Sequence, residues 1–229
     1  MNCLLCGTQI EIDFNLRELV LPMKIKKRSI CHQCDQEFER LGGIRCDGCG
    51  RSQKSIDLCE DCQKWEHQVG FVINNRSAFE YNDAMHEYMK QYKFTGDYRL
   101  RSVFTTEFEK LISKQQPDVI VPIPINKSTW QTRGFNQVTG ITSNLRLIEA
   151  LETINGSKET RQSKKNRAER MSSKQPFKLS GDVEITKKIS HQRALIVDDV
   201  YTTGRTIYYA ANLLLTLSPM SISSVTLAR

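Results

Sequence analysis

The chain has 229 residues, 39% of them hydrophobic and 26% charged, with a formal net charge of +7. That is enough for one or two domains with a true core, so a soluble globular protein is expected. The longest apolar runs, such as "VIVPIPI" and "ALIV", fall far short of the roughly 18 to 20 residues of a membrane span, and the opening "MNCLLCG" has no charged-then-apolar signal region, which excludes membrane insertion and favours the cytoplasm.

All eight cysteines lie in the first 62 residues, as four CxxC pairs: Cys3/Cys6, Cys31/Cys34, Cys46/Cys49 and Cys59/Cys62. A CxxC turn aims two sulfurs at one ion and zinc takes four thiolates tetrahedrally, so eight cysteines make two structural Zn²⁺ sites. A disulfide framework does not suit a chain without an export signal, and a redox CxxC needs no four copies. Sequential pairing is favoured over an interleaved cross-brace because only nine residues separate Cys49 from Cys59. Four-thiolate sites leave no open coordination position, so no zinc catalysis is implied. Eight thiolates and two zinc ions also lower the formal charge to +3, which weakens the case for nucleic acid from net charge alone. Charge distribution says more. Lys24, Lys26, Lys27 and Arg28 form one basic cluster, and residues 157 to 178 hold eight Lys/Arg against Glu159 and Glu169; each is either a solvated loop or a track for a phosphate backbone.

Beyond Cys62 the chain becomes cysteine-free and alternates strands with helices. "GFVINNRSAFEY" reads as extended chain, and Met85, Tyr88, Met89 and Tyr92 then form a helical core stripe behind the caps Asn82 and Asp83. "TGD" at 95 to 97 ends that helix, and Leu100, Val103, Phe104, Phe108, Leu111 and Ile112 mark a second one that stops before Pro117. The strand "DVIVPIPI" follows, then a third helix through Val138, Ile141, Leu145 and Ile148, and then the basic polar segment 156 to 176. The strand "RALIVDD", a helix over 204 to 217 and a last strand "ISSVTLA" complete the order. The fold class expected is α/β: a parallel-sheet domain over 69 to 229, preceded by a small cysteine-rich zinc-ribbon domain over 1 to 68.

In parallel α/β sheets, ligands collect beyond the carboxyl ends of the strands, which is where "DDVYTTGRT" falls. Thr202, Thr203 and Thr206 offer hydroxyls, Gly204 permits positive φ and close backbone approach, and the new helix presents free N–H groups to a phosphate. Arg205 either adds charge there or points to solvent. Asp198 and Asp199 cannot bind an anion but suit the vicinal hydroxyls of a sugar, or waters on Mg²⁺. A phosphorylated sugar satisfies both halves. The stretch is also Walker B-like, yet no GxxxxGK[ST] occurs in the chain, which disfavours an NTPase.

"LIVDDVYTTGRT" resembles the phosphoribosyl pyrophosphate (PRPP) signature of type I phosphoribosyltransferases, in which the acidic pair holds ribose hydroxyls and the TTGxT loop the 5′-phosphate. Wider similarity is to the ComF family of competence proteins, carried by the CxxC ribbons, "KFTGDYRLR", "VPIPINKSTWQTRGFNQ", "RQSKKNRAER", the signature itself and the closing "VTLAR". The resemblance implies a pyrophosphate loop at Ile125, Asn126 and Lys127, where the alternative is a proline-stiffened strand exit. It implies a mobile hood with Arg133, Asn136 and Gln137, where Asn136 is otherwise a helix cap, and it sets Arg167 and Arg170 near the phosphates or a nucleic-acid strand. Hypoxanthine and guanine enzymes carry Asp where this chain has Thr202, so purine salvage is disfavoured. No glutaminase module is visible.

The resemblance favours an accessory factor of DNA uptake in natural transformation that binds single-stranded DNA, docks on the uptake helicase or the recombination-loading protein, and carries a PRPP-type pocket used with Mg²⁺. The alternatives are an active phosphoribosyltransferase on an unidentified acceptor and a PRPP-responsive regulator, although no helix-turn-helix is evident. A single-strand track needs cations and stacking rings, and the candidates are Lys24, Lys26, Lys27, Arg28, Trp130, Lys164, Lys165, Arg167 and Arg170. Trp65, beside the last cysteine pair, is expected to pack between ribbon and sheet.

Overall fold

The apolar runs at 119 to 123 and 194 to 197 form the centre of the molecule. The computed structural model describes residues 1–10, 28–154 and 175–229. Within them β5 (Arg193–Val200) lies between β2 (Val119–Pro122) and β6 (Ser221–Ala228), and β6 pairs on its far side with β1 (Asn75–Phe79). All three pairings are parallel, with Pro122 opposite Val197 and Val200 opposite Ala228. Pro122 has no N–H to donate, but Ile123 N–H reaches the Val197 carbonyl at 3.0 Å and carries the ladder one residue further. The carboxyl ends of β2 and β5 therefore open side by side at one edge of the sheet.

Side chains alternate across this sheet. Leu195 and Val197 of β5 face a cluster with Met85, Tyr88, Met89, Phe104, Phe108 and Ile112, whereas Ala194 and Ile196 face one with Val121, Ile207, Ala210 and Leu214. The expected stripe of Met85, Tyr88, Met89 and Tyr92 is buried throughout. Its helix, Asp83–Lys90, is capped by the Asn82 side chain, runs into a π turn at Gln91–Thr95 and ends at Gly96. A 3₁₀ turn (Tyr98–Leu100) leads into the helix Arg101–Lys114, as the apolar spacing predicts.

The third helix is much shorter than the spacing of Val138, Ile141, Leu145 and Ile148 suggests. It spans only Gln137–Ile141. The Thr142 hydroxyl donates to the Val138 carbonyl, and the Glu109 carboxylate accepts from both the backbone and side-chain N–H of Asn144. These side-chain bonds compete with the next helical turn. The chain then runs alongside β2, with Ile148 N–H donating to the Ile120 carbonyl. Further elements have no counterpart in the sequence reading: a helix at Lys127–Arg133, an antiparallel pair, β3 (Leu151–Thr153) with β4 (Phe177–Leu179), at the two borders of the basic segment, and a helix at Val183–Lys187 capped by Asp182. The helix expected over 204 to 217 spans Arg205–Leu215.

The cysteine-rich region is packed onto the sheet rather than hung from it. Cys3 and Cys34 join the first cluster, and Cys46, Cys49, Cys62 and Trp65 the second. Among the described residues, no helix is long and apolar enough to cross a membrane.

Candidate phosphosugar pocket and cysteine centres

The chain after β5 makes a turn that only glycine takes easily. Gly204 has φ +80, and a Cβ placed on it would press on the Tyr201 hydroxyl and lie 2.6 Å from that ring's Cζ. Gly204 is also the N-cap of the helix Arg205–Leu215, and among the described residues no side chain caps that end. The first internal bond runs from Tyr208 N–H to the Gly204 carbonyl, so the earlier N–H groups and the positive end of the helix dipole face the Thr202–Gly204 loop. Thr202 is exposed, and Thr203 and Thr206 are partly so. Arg205 does not point to solvent: it is buried, with its guanidinium over the Tyr209 ring and donating to the Tyr209 hydroxyl at 2.8 Å.

Asp198 and Asp199 are neighbours in sequence but leave β5 on opposite faces. Asp199 continues the face of Leu195 and Val197, and there its Oδ2 sits 2.6 Å from Lys93 Nζ, carried on the π turn. Asp198 continues the other face, and its Oδ1 accepts the Asp199 N–H at 2.8 Å. Burial first, and then the adjacent Asp199 carboxylate, push the Asp198 carboxyl up to about 8, while Lys93 opposes the shift. Lys93 lies in a stretch that the family resemblance marked but to which it attached no role. Nothing local in the sequence pairs it with Asp199, more than 100 positions along the chain.

At the neighbouring strand exit, Asn126 caps the helix Lys127–Arg133 through its side chain, which accepts from Thr129 N–H at 2.7 Å. Lys127 is exposed and Ile125 partly buried. Asn136 acts as the cap that the sequence offered as an alternative: buried, it accepts from Val138 N–H and donates to the Ile123 carbonyl at 2.9 Å. Gln137 is also buried, and its carbonyl accepts the Tyr92 hydroxyl. Arg133 closes the helix ahead of Gly134. Trp130 is 54% exposed, and Arg28 is exposed. Lys24, Lys26, Lys27, Lys164, Lys165, Arg167 and Arg170 lie outside the described residues.

The cysteines gather as Cys3/Cys6/Cys31/Cys34 and Cys46/Cys49/Cys59/Cys62, the sequential pairing, with the sulfurs of each group within 4.8 Å of one another. The Cys6–Cys31, Cys46–Cys62 and Cys49–Cys59 sulfurs are 3.7, 3.7 and 3.5 Å apart. A tetrahedron of about 2.3 Å Zn–S bonds has edges of about 3.8 Å, so the thiols fit zinc and are too far apart for disulfides. Cys49 is lowered to about 5, first by the hydrogen bond with the Cys62 thiol and, after the opposing effect of burial, by the Arg229 guanidinium, whose Nη2 is 2.8 Å from its sulfur. Trp65 is buried, but the partner it stacks on is Tyr208 of the helix Arg205–Leu215 rather than a strand of the sheet.

The Phosphoribosyl transferase domain family matches residues 106–229. Over 229 residues the chain is 34% identical to "Competence protein ComFC" of Streptococcus pneumoniae (strain ATCC BAA-255 / R6), with 100% of each chain covered. It is 35% identical to "Competence protein ComFC" of Bacillus subtilis (strain 168), over 99% of this chain and 94% of that one. "Competence protein F" of Haemophilus influenzae (strain ATCC 51907 / DSM 11121 / KW20 / Rd) is 22% identical over 87% of this chain and 96% of its own.

Proposed function

The chain belongs to the ComFC family of competence proteins and carries a phosphoribosyltransferase domain, and from that premise we propose that it is an accessory factor of natural transformation with a phosphosugar pocket at the end of β5. The observation that carries the pocket is the uncapped helix N-terminus behind Gly204, beside two carboxylates at a strand end. In this reading the Thr202–Thr206 loop takes the 5′-phosphate of PRPP, Asp198 and Asp199 take the ribose hydroxyls from either side of the strand end, and Ile125, Asn126 and Lys127 receive the pyrophosphate with its Mg²⁺. Single-stranded DNA follows the basic residues Lys164, Lys165, Arg167 and Arg170, with Trp130 as a stacking ring. The cytoplasmic uptake helicase and the recombination-loading protein are the partners. Both cysteine centres hold Zn²⁺ as structural ions.

In a naturally transformable strain whose own ComFC is replaced by this chain, Asp198→Asn with Asp199→Asn should lower transformation frequency at unchanged protein level. Charge reversal at Lys164, Lys165, Arg167 and Arg170 should lower affinity for a labelled oligo-dT and flatten its salt dependence. Unchanged transformation and unchanged binding would contradict the two halves of the proposal respectively. The domain match keeps a second reading in view, transfer of the phosphoribosyl group to an acceptor, which magnesium-dependent release of pyrophosphate from PRPP would reveal.

A further inference from the structure

The phosphate loop is held from behind by the second cysteine centre. The helix Glu60–Val69 begins directly after Cys59 and contains Cys62, with Trp65 one turn further along the same face. Trp65 is 5% exposed, its ring lies 4.3 Å from that of Tyr208 at an interplanar angle of 12°, and its indole Nε1 donates to the Thr203 carbonyl at 2.8 Å. Among the described residues, this is the bond that ties the cysteine-rich region to the middle of the Thr202–Thr206 loop.

A trans peptide points its C=O and its N–H in opposite directions. The Thr203 carbonyl and the Gly204 N–H belong to one such plane, so drawing the carbonyl onto the indole turns the Gly204 N–H away from the ribbon. A second tether acts from the same centre. The Arg229 guanidinium contacts Cys49 Sγ and lies 4.6 Å over the Tyr201 ring, the ring that fills the space under Gly204. We infer that Trp65 is a positioning residue for phosphate binding, through which the Cys46/Cys49/Cys59/Cys62 centre sets the direction of the loop's N–H donors; the inference rests on the phosphosugar reading of that loop.

Trp65→Phe keeps a ring to stack on Tyr208 and removes the indole donor together with part of the buried ring volume, so Tm and zinc content are measured beside affinity. Calorimetric titration with PRPP and Mg²⁺ should show affinity weakened about fivefold, the worth of one ordinary hydrogen bond, with two zinc ions retained per chain. A bond that served the fold alone would weaken free and liganded protein equally and leave affinity unchanged, so equal affinity in a folded, zinc-loaded Trp65→Phe protein overturns the inference. An independent measurement uses Trp130→Phe, in which Trp65 is the sole tryptophan. Its emission should change in step with PRPP binding, and a flat signal through a titration that calorimetry shows to saturate also overturns the inference. If the unsubstituted protein binds no PRPP, the phosphosugar reading falls and takes this inference with it.

Discussion

Replacing Gly204 by alanine tests the proposed phosphate loop at its tightest point. Two costs follow from the geometry. A residue with a Cβ at φ +80 gives up about 1–2 kcal/mol. The new methyl also meets the Tyr201 hydroxyl and lies 2.6 Å from Cζ and 3.2 Å from Cε1 of a ring that is only 4% exposed, and overpacking of that kind costs about 1–3 kcal/mol. The sum, about 2–5 kcal/mol, corresponds to a fall in Tm of roughly 10 °C for a chain of this size. Because the Gly204 N–H must also move, PRPP affinity should fall with it. Adding Tyr201→Phe removes the hydroxyl but not the ring carbon or the φ cost, so it should restore only part of the lost stability. Differential scanning calorimetry and a PRPP titration on the three proteins decide the matter. A Gly204→Ala protein within about 2 °C of the parent and with equal affinity would refute the loop geometry.

The Asp198 carboxyl, raised to about 8 against an unfolded value near 3.9, favours the fold while it is protonated. Its contribution is fully present below the unfolded value and is lost as pH rises from there through about 8, so Tm of the ligand-free protein should fall between about pH 4 and pH 8 and level off above; Asp198→Asn, neutral throughout, should flatten that fall. Lys93→Met leaves the nearly buried Asp199 carboxylate without its cation and should destabilise the protein by about 1–3 kcal/mol. Lys93→Met with Asp199→Asn should recover part of this, and strict additivity in the thermal double-mutant cycle would deny the pair. Cys34→Ser and Cys62→Ser should each lose one zinc ion of the two, as measured by plasma mass spectrometry; loss of both ions from either variant would contradict two independent centres.

What the sequence made legible was local. The apolar runs, the stripe from Met85 to Tyr92 and the Asp-Asp-to-glycine turn each state their structure within a dozen residues, and each is found in place. CxxC spacing gave the ligand pairs, and only the folded chain decides between the sequential and interleaved pairings. The short helix after Asn136 was misjudged because its end depends on Glu109, 35 residues away in sequence, capturing Asn144. The same holds for Lys93 on Asp199, Trp65 on Thr203 and the buried polar cluster of Asn75, Ser77, Ser224 and Thr226, whose hydrogen bonds join β1 to β6. Polar residues inside a strand look like surface until the partner strand is known. That the two aspartates face opposite sides of β5 follows from strand alternation, but only once the strand is seen to run on through Val200.

The central claim is that the loop after β5 is a working phosphosugar site in a competence protein. Calorimetric titration of the zinc-loaded protein with PRPP and Mg²⁺, alongside the Asp198→Asn/Asp199→Asn variant and repeated with a short single-stranded DNA, tests it most directly. Saturable binding that the variant loses is the predicted result; heat from DNA alone, with none from PRPP, would contradict it.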